Sequence, residues 1–224
     1  MLTMARTPLA ISLWVASWAC LFALMVGTLI AWTLTRERLR GRTLIEGLAM
    51  SPLVLPPTVL GYYLLVILGQ QGIGPWVERV LGFRFVFTLT GAIVAASISA
   101  LPLVVQAVRA SLAAISKELE QAARLDGCTE RQLFIHVTAP LAWRGLLAGG
   151  ILGFLRALGD FGAVLMVAGN IPGRTQTMAM AIYDAVQANR VAEANQLTLV
   201  LTVTAFGLLF LVLRITRQAL DQTR

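Results

Sequence analysis

Charge is scarce in this 224-residue chain: 13% of its residues are Asp, Glu, Lys or Arg, against about 25% in a typical soluble domain. Lysine occurs once, histidine once and cysteine twice. The shortage of charge, beside 58% apolar residues and a mean hydropathy of +0.78, excludes a disordered chain and points to the membrane. The apolar runs are long and continuous rather than short and alternating, so the spans are helices and not barrel strands. At roughly 20 residues per span, about five or six fit. One histidine and no close cluster of carboxylates offer no basis for a metal or cofactor. Cys20 lies in an apolar run and Cys128 in a charged loop, which argues against a disulfide. A Gly-x-x-x-x-Gly-Lys-Ser/Thr phosphate loop is missing, so ATP hydrolysis by that route is not expected in this chain.

The expected fold is all-α, a single transmembrane unit over residues 1–224. Apolar runs predict spans over Leu9–Leu34, Leu44–Leu68, Phe85–Val108, Leu141–Val167 and Leu197–Leu213. Between the second and third lies a Gly- and Pro-containing loop whose Pro75–Leu81 part suits the membrane surface. The net charge of +7 needs no nucleic acid, because basic residues gather in cytoplasmic loops beside anionic lipid. Twelve basic residues flank the spans on the side of the Arg36–Arg42 loop, the Arg109–Pro140 island and the tail, against five on the other. The island and the C-terminus are therefore expected in the cytoplasm, and with five spans the N-terminus outside.

The island carries helix-boundary signals. Ser116 suits the N-cap of a helix over Lys117–Asp126, and Gly127 its left-handed terminator. Thr129 with Gln132 forms a capping-box pattern for a second helix over Glu130–Val137, which Pro140 closes. Two short helices joined by a sharp turn are thus expected outside the bilayer.

Gln121-Ala122-Ala123, Gly127 four residues on, and Val137-Thr138-Ala139-Pro140 resemble the EAA loop of ABC-transporter inner-membrane permeases. Gln121 replaces the usual Glu, with Glu120 one position earlier. Two further segments resemble the molybdate permeases in particular. One is Leu53-Val54-Leu55-Pro56-Pro57-Thr58-Val59-Leu60-Gly61-Tyr62. The other is Phe154 to Ala163 followed by Gly169-Asn170-Ile171-Pro172-Gly173-Arg174-Thr175-Gln176-Thr177. The resemblance runs from Leu9 to Arg217. It implies a permease of the bacterial inner membrane, working as a homodimer with two ATP-binding subunits on the cytoplasmic side and an extracytoplasmic molybdate-binding protein. It also implies that Glu120, Gln121, Ala122, Ala123, Gly127 and Pro140 serve ATPase coupling. Sulfate or tungstate permeases of the same superfamily are the alternative, since all three anions are tetrahedral dianions. A membrane scaffold without transport is a more distant one. An intramembrane protease is disfavoured, because His136 stands alone in the island and Asp160 has no partner Asp nearby.

Candidate pathway or gate residues lie in the spans. Pro56 and Pro57, with Pro52, remove amide donors and either kink the second span or break it so that freed backbone lines a pathway. Arg156 and Asp160, four apart on one helical face, can pair. They serve either helix packing or the potential of an anion path. Gly145, Gly149, Gly153 and Ala157 form a small-residue stripe, used either within the chain or against a second copy. Asn170, Thr175 and Thr177 offer neutral donors to an oxyanion or cap the next helix. Trp14, Trp18 and Trp32 suit lipid-facing positions.

Overall fold

The computed structural model describes residues 7–35 and 41–221. Arg6, Arg36, Arg38, Arg40 and Arg224, which enter the charge count above, lie outside the described residues.

The described residues are mainly helical. In order come α1 (Pro8–Thr35), α2 (Arg42–Val54), α3 (Pro57–Leu68), α4 (Gly74–Leu81), α5 (Leu89–Ala113), α6 (Lys117–Leu125) and α7 (Glu130–Leu133). After α7 a π-helical turn covers Phe134–Thr138. Then follow α8 (Ala139–Leu141), α9 (Trp143–Leu158), α10 (Gly162–Ala168), α11 (Met178–Gln187) and α12 (Val191–Asp221). Three helices, α1, α5 and α12, are long and apolar enough to cross a bilayer unaided. The pairs α2–α3 and α9–α10 bring the number to five, the expected count, when each bent pair is taken as one span.

Helix α5 is the centre, with α1, α9, α2 and α10 packed around it. The contact surfaces are built of small residues. On α1 these are Ala16, Ala19, Ala23, Gly27 and Ala31, and on α5 Ala92, Ala95, Ala96 and Ala100, all buried. Lipid is as apolar as leucine, so helix association inside it rests on close packing rather than on water release. Small side chains supply the closeness: a Cβ added at Gly27 would come within 2.8 Å of Val104 Cγ1. The α9 stripe works the same way. A Cβ on Gly153 would come within 2.8 Å of Val104 Cγ2, and one on Gly145 would strike Ser111. Of its two possible uses, the glycine stripe therefore serves packing inside this chain.

Three expectations change. The fourth span is not a continuous helix but a broken one, and of the two readings of the prolines in the second span, kink or break, the break is found, for reasons given below. The last helix runs from Val191 to Asp221 rather than from Leu197 to Leu213. Its 31 residues span about 46 Å, well beyond a hydrocarbon core of about 30 Å. The polar ends were invisible to a search for apolar runs. Only 6% of its apolar window is buried. The second island helix ends at Leu133 and gives way to the π turn. Pro140 has no amide to return to the carbonyl of His136, and a wider turn accommodates that loss.

Candidate functional site

The break between α2 and α3 follows from three prolines. Pro52 cannot bond the carbonyl of Leu48, and the Ser51 hydroxyl donates to that oxygen instead at 2.8 Å. Helix α2 thus survives Pro52. Two consecutive prolines at 56 and 57 leave the carbonyls of Pro52 and Leu53 without their helical donors, and no hydroxyl replaces them among the described residues. Leu55 and Pro56 are extended (ψ 136° and 137°), and Pro57 opens α3 at its first position, where a missing N–H costs nothing. The two helices bend by 119°. Leu53 and Val54 at the break are exposed, Val54 to 82%.

The second break separates α9 from α10 at Gly159–Phe161, with a bend of 62°. Asp160 sits in it, 2% exposed. Its Oδ1 accepts from Arg156 Nη1 at 3.1 Å and its Oδ2 from Ser99 Oγ of α5 at 3.0 Å. The carboxylate therefore joins the end of α9 to the middle of α5. The i, i+4 pair read from the sequence is present; Ser99 was not foreseen. The available signal was a serine among the alanines of an apolar span, where an unpaired hydroxyl would be costly.

The two breaks meet. Helices α3 and α10 pack against each other through glycines from both. A Cβ on Gly61 would come within 2.7 Å of Met166 Cβ and 2.9 Å of the Ala163 Cα, and one on Gly162 within 2.9 Å of Pro57 Cβ. Pro57 and Gly162 are thus in contact, and Asp160 lies two residues away in the chain. Gly61→Val is expected to push α3 off α10 and lower the melting temperature of the purified protein, since overpacking costs about 1–3 kcal/mol. Gly47→Val is the control, because a Cβ there meets nothing within 4 Å; equal melting of the two variants would refute the contact's importance.

Beyond α10 the loop 169–177 is closed by Thr175. Its hydroxyl donates to the Gly169 carbonyl at 2.9 Å and accepts from Ile171 N at 3.2 Å. Gly169 (φ 67°, ψ 169°) takes a conformation reserved for glycine. Thr175 is 1% exposed, so its hydroxyl braces the loop and is not offered outward. Asn170 Oδ1 and Thr177 Oγ1 are buried without a hydrogen-bond partner among the described residues. Thr177 occupies the N-cap position of α11 but makes no side-chain cap. Ser12 Oγ of α1 accepts from Met178 N at 2.8 Å in its place.

At the opposite end of α9, about 24 Å along its 16 residues, lie the island helices. The Gly127 and Thr129–Gln132 signals are realised. Gly127 has φ 85°, and Cys128 N reaches back to the Ala123 carbonyl at 3.1 Å, the six-to-one bond of a Schellman ending. Thr129 N donates to Gln132 Oε1 at 2.9 Å while Gln132 N donates to Thr129 Oγ1 at 3.3 Å, a reciprocal capping box. Helix α6 exposes Leu119 and Leu125, the latter to 89%, and Gln121 is exposed between them, with Ala123 half-buried. The side chains of Glu120 and Ala122 lie outside the described residues. One tether beside the island was missed: Arg109 at the end of α5 pairs with Glu46 of α2, next to a Gln106 Nε2 contact on Met50 Sδ at 3.3 Å. Glu46 is the one acid in the second apolar run, which was the signal.

The sequence-predicted residues thus fall into two groups. Pro56, Pro57, Arg156 and Asp160 converge at the paired breaks, with Asn170 and Thr175 in the loop that follows α10. Gln121, Ala123, Gly127 and Pro140 lie in the island segment beyond the far end of α9.

Comparison with known proteins gives one family. The profile described as binding-protein-dependent transport system inner membrane component matches residues 23–224. The putative molybdenum transport system permease protein YvgM of Bacillus subtilis (strain 168) is 40% identical, over 92% of this chain and 91% of that one. The molybdenum transport system permease protein ModB of Haemophilus influenzae is 43% identical, over 79% of this chain and 78% of that one. Among solved structures, a chain in the crystal structure of a bacterial ABC transporter involved in the import of the acidic polysaccharide alginate shares the fold. The TM-score is 0.73 at 16% identity, covering 93% of this chain and 77% of that one.

Proposed function

This chain belongs to the family of binding-protein-dependent transport system inner membrane components, and from that premise we propose that it is the membrane-spanning subunit of an ATP-driven molybdate importer. Permease relatives named for molybdenum, similar over most of the chain, support the choice of anion. The observation that carries the reading is the arrangement of two broken helices, packed through Gly61 against Ala163 and Met166 and through Gly162 against Pro57, at the far end of the roughly 24 Å helix α9 from an exposed, rigidly terminated helix pair. A break whose Leu53 and Val54 stand exposed suits a passage; a stiff surface helix suits a mechanical link.

In this reading residues 1–224 form one permease unit in the bacterial inner membrane, its C-terminus cytoplasmic and its N-terminus outside. Two copies enclose the pathway. Two ATP-binding subunits dock beneath on Glu120, Gln121, Ala122, Ala123, Gly127 and Pro140, and hydrolysis takes place there and not in this chain. An extracytoplasmic binding protein delivers the anion. Pro56 and Pro57 form the break that moves, Arg156 and Asp160 lock the second break to α5, and Asn170 and Thr175 belong to the outer gate. Coupling then has a physical route: motion of α6 is carried along α9 to the Asp160 break, and through the Gly61 and Gly162 contacts to α3.

The test is uptake by vesicles holding the permease with its ATPase subunit and loaded binding protein. ATP-dependent molybdate accumulation, resistant to excess sulfate, is the expected result. Accumulation that sulfate abolishes would replace molybdate by sulfate, and ATP hydrolysis without uptake of any anion would overturn the importer reading.

A further inference from the structure

Three polar side chains in the loop before α11 make no side-chain hydrogen bond among the described residues. Asn170 Oδ1 and Thr177 Oγ1 are buried and unpartnered. Gln176, 8% exposed, makes no side-chain hydrogen bond among the described residues. Buried polar groups are normally paired, and an unpaired one lowers stability. Two such atoms in one loop, Asn170 Oδ1 and Thr177 Oγ1, imply a partner that the folded chain does not supply.

Their placement indicates its charge. The Thr175 bridge between Gly169 O and Ile171 N draws the loop closed, so that residues 170, 176 and 177 flank one closure. Thr177 stands at the N-terminus of α11, the positive end of the helix. Because Ser12 caps that end from α1, the Thr177 hydroxyl is left free. The amide of Asn170 turns about a roughly two-fold terminal torsion, so a half-turn presents Nδ2 where Oδ1 now lies. At the rim, Arg174 is exposed and has no acidic partner among the described residues. Donors within, a positive helix end beneath and a free cation at the entrance all favour an anion.

We propose that this loop is a transit subsite for a tetrahedral oxyanion, which Arg174 draws in and the Thr177 hydroxyl and the Asn170 and Gln176 amides hold during passage. The inference rests on the importer reading above. Neutral donors offset part of the anion's dehydration without a buried countercharge that would retain it. Thr175 is excluded from contact, since its hydroxyl is committed to the loop itself.

The experiment uses the same reconstituted assembly. Thr177→Val keeps the shape and deletes a hydroxyl without a partner, so the variant should melt at the wild-type temperature or above. Its molybdate uptake per assembled complex should nevertheless fall roughly tenfold, the scale of one lost hydrogen bond to a charged group, and Thr177→Ser should restore it. Wild-type uptake in Thr177→Val would overturn the subsite while leaving the importer reading intact. A lowered melting temperature that Ser does not restore would also overturn it, in favour of a structural threonine. If wild-type vesicles move sulfate or tungstate instead, the same loss of that flux in Thr177→Val would keep the subsite and change only the anion. If no oxyanion moves, both readings fall.

Discussion

Asp160→Asn is expected to lower the amount of correctly assembled permease sharply, and a second substitution, Arg156→Gln, should partly recover it. The single change preserves the shape and the acceptor for Ser99, but it leaves the Arg156 guanidinium without its countercharge. Breaking a buried pair from one side costs about 3–5 kcal/mol, whereas removing both charges is often close to neutral. Translocon insertion gives a smaller scale, about 2.5–3.5 kcal/mol for a charge at a helix centre. Arg156 keeps 28% of its side chain exposed while Asp160 keeps 1%, so the smaller figure applies better to a stranded arginine and the larger to a stranded aspartate. Arg156→Gln alone should therefore be the worse of the two single variants. The measurement is folded yield and melting temperature across the double-mutant cycle. Additive losses would show that the pair does not lock the break. Uptake per assembled complex then separates packing from transport: equal values for wild type and the double variant would remove Arg156 from any anion path.

Gly127→Val is expected to leave the spans intact and abolish productive docking of the ATPase. A Cβ at Gly127 meets nothing within 4 Å, so the effect comes wholly from the backbone. A left-handed residue with a side chain costs about 1–2 kcal/mol, and a β-branched one more. That is enough to change the population of the native turn by a factor of about 5–30. Losing the turn releases Cys128 N from Ala123 O and swings α6 relative to the capping box at Thr129 and Gln132. Gly127→Asn, which tolerates the left-handed region, should retain most of the activity. Copurification of the ATPase with each variant is the readout, with melting temperature as the control. A Val variant that binds ATPase as well as wild type would detach the island from coupling.

Local features were legible in the sequence because they depend on neighbours a few residues apart. The Gly127 ending, the Thr129–Gln132 box and the Arg156–Asp160 pair are each satisfied within one or two turns. The apolar segments were legible too, since apolar length can be compared with bilayer thickness: three became single helices of crossing length and two became bent pairs. Tertiary structure alone decided how the prolines act and which surface the glycine stripe serves. Pro52 and Pro56 look alike in sequence, yet Ser51 rescues the first and a 119° bend marks the second. The stripe at Gly145, Gly149 and Gly153 specifies close approach without naming the neighbour, which proved to be α5. Ser99 and Asp160 are 61 residues apart, as Glu46 and Arg109 are 63, and no local rule links them. Such pairings depend on which helices become adjacent. In a lipid environment shape complementarity of small side chains, not hydropathy, chooses those neighbours.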